Sequence, residues 1–212
     1  MFMRFWLFKE SDMKRLIPGV MILLSLAGCV SITEGSAGES MQKGAAAEDQ
    51  GDWDAARRIY AQTFADKNLA QTSPRYRAVL HFEYGRSLGV TCFFTEAEHE
   101  LTLAHDLDKK NSGVFYLSLA ELARLNLAQQ KFPEALSYFE RALAELNPVI
   151  TAKTAPVFYA SVLDDYALAL SGAGHPGKAK AATRQAAEVR ANIIGEQRNG
   201  DTTPYSKQCG KS

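Results

Sequence analysis

Neither sign of charge dominates this chain: 24 Lys and Arg stand against 24 Asp and Glu, and the formal net charge is zero. Nucleic-acid binding leaves a basic stripe as its electrostatic footprint, so no nucleic acid is expected as a partner. Long apolar runs are missing too. Leu16 to Leu26 is interrupted by Pro18, Gly19 and Ser25 and falls short of the roughly 17–25 apolar residues that a membrane-spanning helix needs. Strand signals are nearly absent. The four histidines, 81, 99, 105 and 175, include no pair at the i,i+4 spacing that puts two on one helix face, and His99 and His105, six apart, point in different directions. No metal and no cofactor are expected. Glu96, Glu98 and Glu100 fan around a helix surface, Asp164 and Asp165 are adjacent and do not converge unaided, and no Ser/His/Asp or Cys/His arrangement is legible. An enzyme is therefore not expected. Gly172-Ala173-Gly174-His175-Pro176-Gly177 spells G-x-G-x-x-G, but that phosphate cradle requires a preceding strand within a βαβ unit. Here Ser161 to Leu170 reads as a helix, so the glycines read as an inter-helix turn in which one of them adopts the left-handed conformation that ends a helix.

Cysteine is scarce, three in 212 residues, and the first has a distinctive setting. Lys14 and Arg15, the apolar run to Leu26 and small residues before a cut together read as an export signal. Leu26-Ala27-Gly28-Cys29 resembles a bacterial lipobox. That resemblance implies diacylglyceryl transfer to the Cys29 sulfur, cleavage before Cys29 and acylation of the new amino terminus, and Val30 after the cysteine implies passage to the outer membrane, facing the periplasm. Residues 1–28 are then a signal peptide, with the true start at Met1 or at Met13, which opens a better short signal. Two or more acyl chains anchor stably where one anchors marginally, so the membrane is reached through the lipid. Removing residues 1–28 takes four basic and two acidic residues, leaving a net charge of about −2 over the remaining 184 residues, one domain's worth. Cys92 and Cys209 remain in an oxidising compartment that tolerates disulfides. Either they pair, or Cys92 is a buried apolar side chain and Cys209 is free on a frayed tail.

Residues 29–39 are rich in Ser, Gly, Thr and Glu without apolar period and are expected to form a flexible tether. Residues 40–195 change to alanine, leucine and aromatics, and Pro74, Pro133, Pro148, Pro156 and Pro176 all stand near plausible helix starts or loops, where proline does least damage. Residues 196–212, with Asn199-Gly200-Asp201 and Thr203-Pro204, carry turn chemistry and form an irregular tail.

A repeat runs through the helical region. Ala56, Ala97, Ala135 and Ala179 each have a small residue twelve positions earlier, Gly44, Gly85, Ala123 and Ala167. Three before each alanine stands Trp53, Phe94, Phe132 or Pro176; four after stands Tyr60, Leu101, Phe139 or Thr183; seven after stands Thr63, Ala104, Ala142 or Ala186. Backbones approach closely only at small side chains, and a large one a turn away plugs the adjoining space. The pattern resembles the tetratricopeptide repeat, strongly in the second and third units, less in the fourth and least in the first, where Lys43 replaces the usual large apolar residue before the small one. The resemblance implies an all-α solenoid of about four helix hairpins. Spacings of 41, 38 and 44 exceed the usual repeat of about 34, so extra residues are expected near Asp66 to Ser73 and Asn147 to Ala155.

In that family the first helix of each pair lines a concave groove that holds a peptide or another protein's helix. Carried over, the groove offers Phe82 and Arg86, Arg124 and Leu127, Asp164 and Leu168. Arg86 and Arg124 each follow the small residue by one, so they stack in register and suit a carboxylate or acidic strand end. The reading is a protein-binding scaffold or adaptor in envelope assembly or secretion. Alternatives are an activator docking on a peptidoglycan or polysaccharide synthase and, from another class, a hydrolase with the groove as its cleft.

Overall fold

The computed structural model describes residues 32–193 and 203–209. The signal peptide and Cys29 lie outside the described residues. The helices run in chain order as α1 (Ile32–Asp49), α2 (Trp53–Phe64), α3 (Pro74–Val90), α4 (Phe94–Lys110), α5 (Tyr116–Ala128), α6 (Phe132–Glu145), α7 (Pro148–Thr154), α8 (Pro156–Gly172) and α9 (Pro176–Ala191), and no strand occurs among the described residues.

Four antiparallel hairpins follow from this order, α1 with α2, α3 with α4, α5 with α6 and α8 with α9, each packed on the next. This is an all-α solenoid of tetratricopeptide type. Its turns share one backbone device. In each hairpin a single residue five before the repeat alanine has positive φ: Gly51 (72°), Cys92 (74°), Gln130 (59°) and Gly174 (79°). The residue after it donates its N–H to a carbonyl five positions back, Asp52 to Ala47, Phe93 to Leu88, Lys131 to Asn126 and His175 to Leu170. These are Schellman closures that satisfy carbonyls left over at a helix C-terminus. The Gly172–Gly177 stretch is such a turn.

In the first three units the repeat alanine and the residues four and seven after it are buried, whereas Phe94 and Phe132, three before it, are only half-buried and Pro176 is exposed. Trp53, Ala56, Tyr60, Ala97, Leu101, Ala104, Ala135, Phe139 and Ala142 are all fully buried. Close approach is set sixteen residues apart rather than twelve. A Cβ on Gly44 would lie 2.2 Å from the Tyr60 ring, and one on Gly85 would lie 2.8 Å from Leu101 Cγ and 3.1 Å from its backbone nitrogen. The small residue therefore faces the bulky one beyond the alanine. In the fourth unit Ala167, Ala182 and Ala186 are buried while Thr183 is exposed, as a terminal helix with no successor among the described residues requires.

The surplus residues form a 3-10 turn at Leu69–Gln71 and the whole of α7. All five prolines of the helical region fall in the first turn of a helix, where a missing N–H costs nothing. One expectation is corrected. The sequence reads residues 29–39 as a flexible tether, yet α1 begins at Ile32, and the first unit's first helix is formed. No proline interrupts 32–49, and the second half of α1 packs on α2 through Gly44 and Tyr60, which gives the helix a packed nucleus from which it runs back towards Ile32.

Candidate binding groove

The first helices of successive pairs form one wall, α3 touching α5 and α5 touching α8. Along that wall runs an alternating chain of charge. Glu83 pairs with Arg86 on α3 (3.9 Å), Arg86 Nε reaches Glu121 of α5 (3.6 Å), Arg124 Nη1 donates to Glu121 (2.6 Å), and Arg124 Nε donates to Asp165 of α8 (2.7 Å). Arg124 Nη2 adds a bond to Ser161 Oγ at 3.0 Å. Each arginine thus binds the acid three residues back on its own helix and the acid at the equivalent position of the next unit. Planar guanidinium forks suit this double task. The Arg86 guanidinium also stands 5.1 Å from the Trp53 ring centroid, and that of Arg124 6.0 Å from Phe158.

Burial makes these pairs matter. Arg86 and Glu121 are 8% and 7% exposed. Burial alone would push the Glu121 carboxyl up, but the charges of Arg124 and Arg86, with hydrogen bonds from Tyr205 and Arg124, outweigh it and hold the group below its ordinary value. Asp165 ends above its ordinary value because burial outweighs Arg124. The Arg124 guanidinium loses stability to burial but gains more from Glu121 and Asp165, so it stays charged.

The tail occupies this wall. Tyr205 is 8% exposed, packs into the cluster of Trp53, Leu88, Leu122 and Leu125, and donates its hydroxyl to Glu121 Oε2 at 2.7 Å. Burial and the neighbouring carboxylate push its phenol well above the ordinary value, which keeps the donor proton in place. A Cβ on Gly89 would lie 2.3 Å from the Tyr205 ring, so only glycine admits the phenol there. Ser206 N–H donates to Gly89 O (3.2 Å), Gln208 N–H to Val90 O (3.0 Å) and Gln208 Nε2 to Gly51 O (2.6 Å). A disulfide joins Cys92 to Cys209, with Cα atoms 5.3 Å apart across 117 residues of sequence. Beside the tail remains a cavity of about 440 Å³, walled by Leu127, Ala128, Val157 and Phe158 and by Thr203 to Ser206, with Arg86, Glu121, Arg124 and Asp165 at its polar side.

Of the six groove residues expected from sequence, Arg86, Arg124 and Leu127 line this cavity. Phe82 packs half-buried against the core. Asp164 turns instead to α9 and pairs with Arg190, and Leu168 is 60% exposed away from the cavity. Asp165, one residue on, takes the place assigned to Asp164. The arginines are also not free for a carboxylate, because Glu121 and Asp165 already share them. Glu121, Ser161 and Tyr205 have no role in the sequence reading and Asp165 enters it only as the neighbour of Asp164, although a signal exists: Glu83, Glu121 and Asp165 each stand two before the small residue of their unit. Among the described residues no group of three or more His, Cys, Asp and Glu is placed to hold a metal, and no helix is long and apolar enough to cross a membrane. His81 bonds Glu100 at 2.6 Å, and His105 stacks edge-on to Phe115.

No protein-family model matches the chain, and no curated protein matches it in sequence. Among solved structures it is similar to BtubC (BKLC) from P. vanneervenii, at a TM-score of 0.68 and 17% identity, over 82% of this chain and 72% of that one. MamA protein aligns at a TM-score of 0.45 and 15% identity, over 77% of this chain and 98% of that one. The likeness to BtubC is one of fold. The four hairpins define the class, a helical-repeat solenoid of tetratricopeptide type.

Proposed function

We propose that this chain is an envelope lipoprotein, anchored through Cys29 at the outer membrane and facing the periplasm, whose solenoid holds a protein partner in the groove between α3, α5 and α8. The observation that carries the binding role is the groove itself. A continuous wall of first helices offers a cavity of about 440 Å³ with an apolar side and a neutralised ionic side, the mixture by which concave sites bury a ligand and orient it. The anchor rests on the lipobox residues alone.

The arginines are poor probes of binding, because removing either leaves Glu121 buried with a lost partner. A photocrosslinking residue at Ala128, exposed on the cavity rim, is the better probe, with Ala144 on α6 as its control outside the cavity. Adducts to one discrete protein from position 128 and not from 144 are expected. Equal labelling from both positions contradicts the groove assignment. Incorporation of labelled fatty acid is expected to disappear in Cys29→Ser, and incorporation that survives contradicts the anchor.

A further inference from the structure

The tail shows what the groove is built to hold. Its side chain and its main chain each meet a partner on the wall. Residue 205 supplies a phenol to a slot whose floor is the bare backbone of Gly89 and whose end is the Glu121 carboxylate. Residues 206 and 208 supply backbone N–H groups to Gly89 O, which also accepts from Cys92 N–H in the α3–α4 turn, and to Val90 O, both carbonyls in the last turn of α3. Residues 205–209 form a turn with Ser206 in the left-handed conformation at φ 66°, so the tail presents its phenol and its two N–H groups to α3 and α5 from one compact bend. Glu121 would be an expensive group to bury without its donors, and the phenol is one of them alongside Arg124, with the Arg86 charge 3.6 Å away.

We propose that the wall between α3 and α5 is a receptor for a turn-forming peptide presenting a tyrosine, and that Thr203–Cys209 fills it in cis while the Cys92–Cys209 disulfide holds the tail in place. This rests on the groove being the partner site, and it names the partner's chemistry and its control. The linkage turns a weak segment into a strong competitor. A tethered ligand acts at an effective concentration of millimolar order, and a free peptide must exceed that before it displaces the tail. Opening the latch needs a dithiol reductant of the thioredoxin class. One thiolate attacks Cys209 Sγ, exposed at the surface, forming a mixed disulfide and expelling the Cys92 thiolate, which takes up a proton. The second thiol then resolves the mixed disulfide, releasing reduced Cys209 and leaving the reductant as its own disulfide. Attack of a partner's tyrosyl segment follows on the vacated slot. Cys92 occupies the left-handed position of the α3–α4 turn, so the latch is fixed to the same turn whose helix supplies the accepting carbonyls.

The test uses the full chain and a fluorescent peptide of sequence Thr-Pro-Tyr-Ser-Lys-Gln, this chain's own residues 203–208. Oxidised wild-type protein is expected not to bind it. The double variant Tyr205→Ala, Cys209→Ser is expected to bind it, and a peptide with phenylalanine for tyrosine is expected to bind at least 10-fold more weakly, since a hydrogen bond to a charged acceptor is lost. A folded double variant that ignores the peptide, or one that binds both peptides equally, overturns the proposal. In case the variant does not fold, amide hydrogen exchange on wild type before and after dithiothreitol decides the same point. Reduction is expected to raise exchange in 203–209 at least 10-fold while α3, α5 and α8 stay protected. A tail that stays protected, or helices that lose protection with it, identifies a fixed strut and overturns the proposal. The purified protein needs no cellular partner, so failure here leaves position-specific crosslinking from Ala128 intact, and failure of that crosslinking leaves peptide binding intact.

Discussion

Glu121 decides most of what happens on the concave face, because it accepts from Arg124 and Tyr205 and stands beside Arg86 while almost fully removed from water. Replacing it by glutamine keeps the shape and removes the charge that two buried guanidiniums face. Removing one member of a buried ionic network costs about 3–5 kcal/mol, and urea unfolding of Glu121→Gln is expected to show a loss on the low side of that range. The pH dependence has a defined sign. Because the folded carboxyl lies below its ordinary value near 4.5, its contribution is present above that pH and is lost as pH falls through the folded value. Asp165 works the other way, its raised value withdrawing stability as pH rises from its ordinary value near 3.8. Thermal denaturation between pH 6 and pH 3 is therefore expected to fall more steeply in wild type than in Glu121→Gln. A variant with the wild-type slope assigns the acid sensitivity to other carboxylates. Tyr205→Phe keeps the ring in the Gly89 slot and removes one donor to Glu121, with an expected loss of about 1–2 kcal/mol in the same unfolding measurement.

At the scale of the hairpin, glycine acts in two separable ways. Gly174 is needed for its φ of 79° with open space around it, so Gly174→Ala is expected to lower stability by about 1 kcal/mol. Gly85 is needed for room, since a methyl there meets Leu101 side chain and backbone, and Gly85→Ala is expected to cost about 1–3 kcal/mol. Chemical denaturation of the two variants checks both. The hairpins were legible in the sequence because close packing constrains residue type: Ala56, Ala97 and Ala135, with Tyr60, Leu101 and Phe139, cannot be exchanged freely once fully buried. The turns were less legible, because a backbone requirement for positive φ is met by Gly51 and Gly174 but also by Cys92 and Gln130. The length of α1 was missed for a related reason, its amino-terminal half lying in a polar segment that reads as a linker. At the groove, register predicted Arg86 and Arg124 but placed Asp164 one residue out of phase with Asp165. Adjacent residues on a helix differ by about 100°, enough to send Asp164 to Arg190 on α9. What Tyr205 touches was not legible at all, because no local pattern links a tail residue to a carboxylate 84 positions earlier.

Among the described residues, a repeat architecture whose units touch mainly their neighbours is crossed by a long-range covalent restraint, the Cys92–Cys209 bond. Closing 117 residues stabilises the fold by on the order of 5 kcal/mol if the unfolded chain loses the corresponding entropy. Guanidinium unfolding with and without reductant is expected to differ by no more than that amount, with helical circular dichroism retained in the reduced state before the transition. Loss of helix on reduction alone contradicts a solenoid that stands on its hairpins. Binding in the groove and occupation by the tail then compete for one surface. The decisive quantity is the yield of partner adduct from a photocrosslinker at Ala128, compared between wild type and Cys209→Ser in living cells with Ala144 as the reference position. A several-fold rise at 128 in Cys209→Ser, with no change at 144, is the predicted result; an adduct at 128 that is unchanged or diminished when the latch is removed contradicts it.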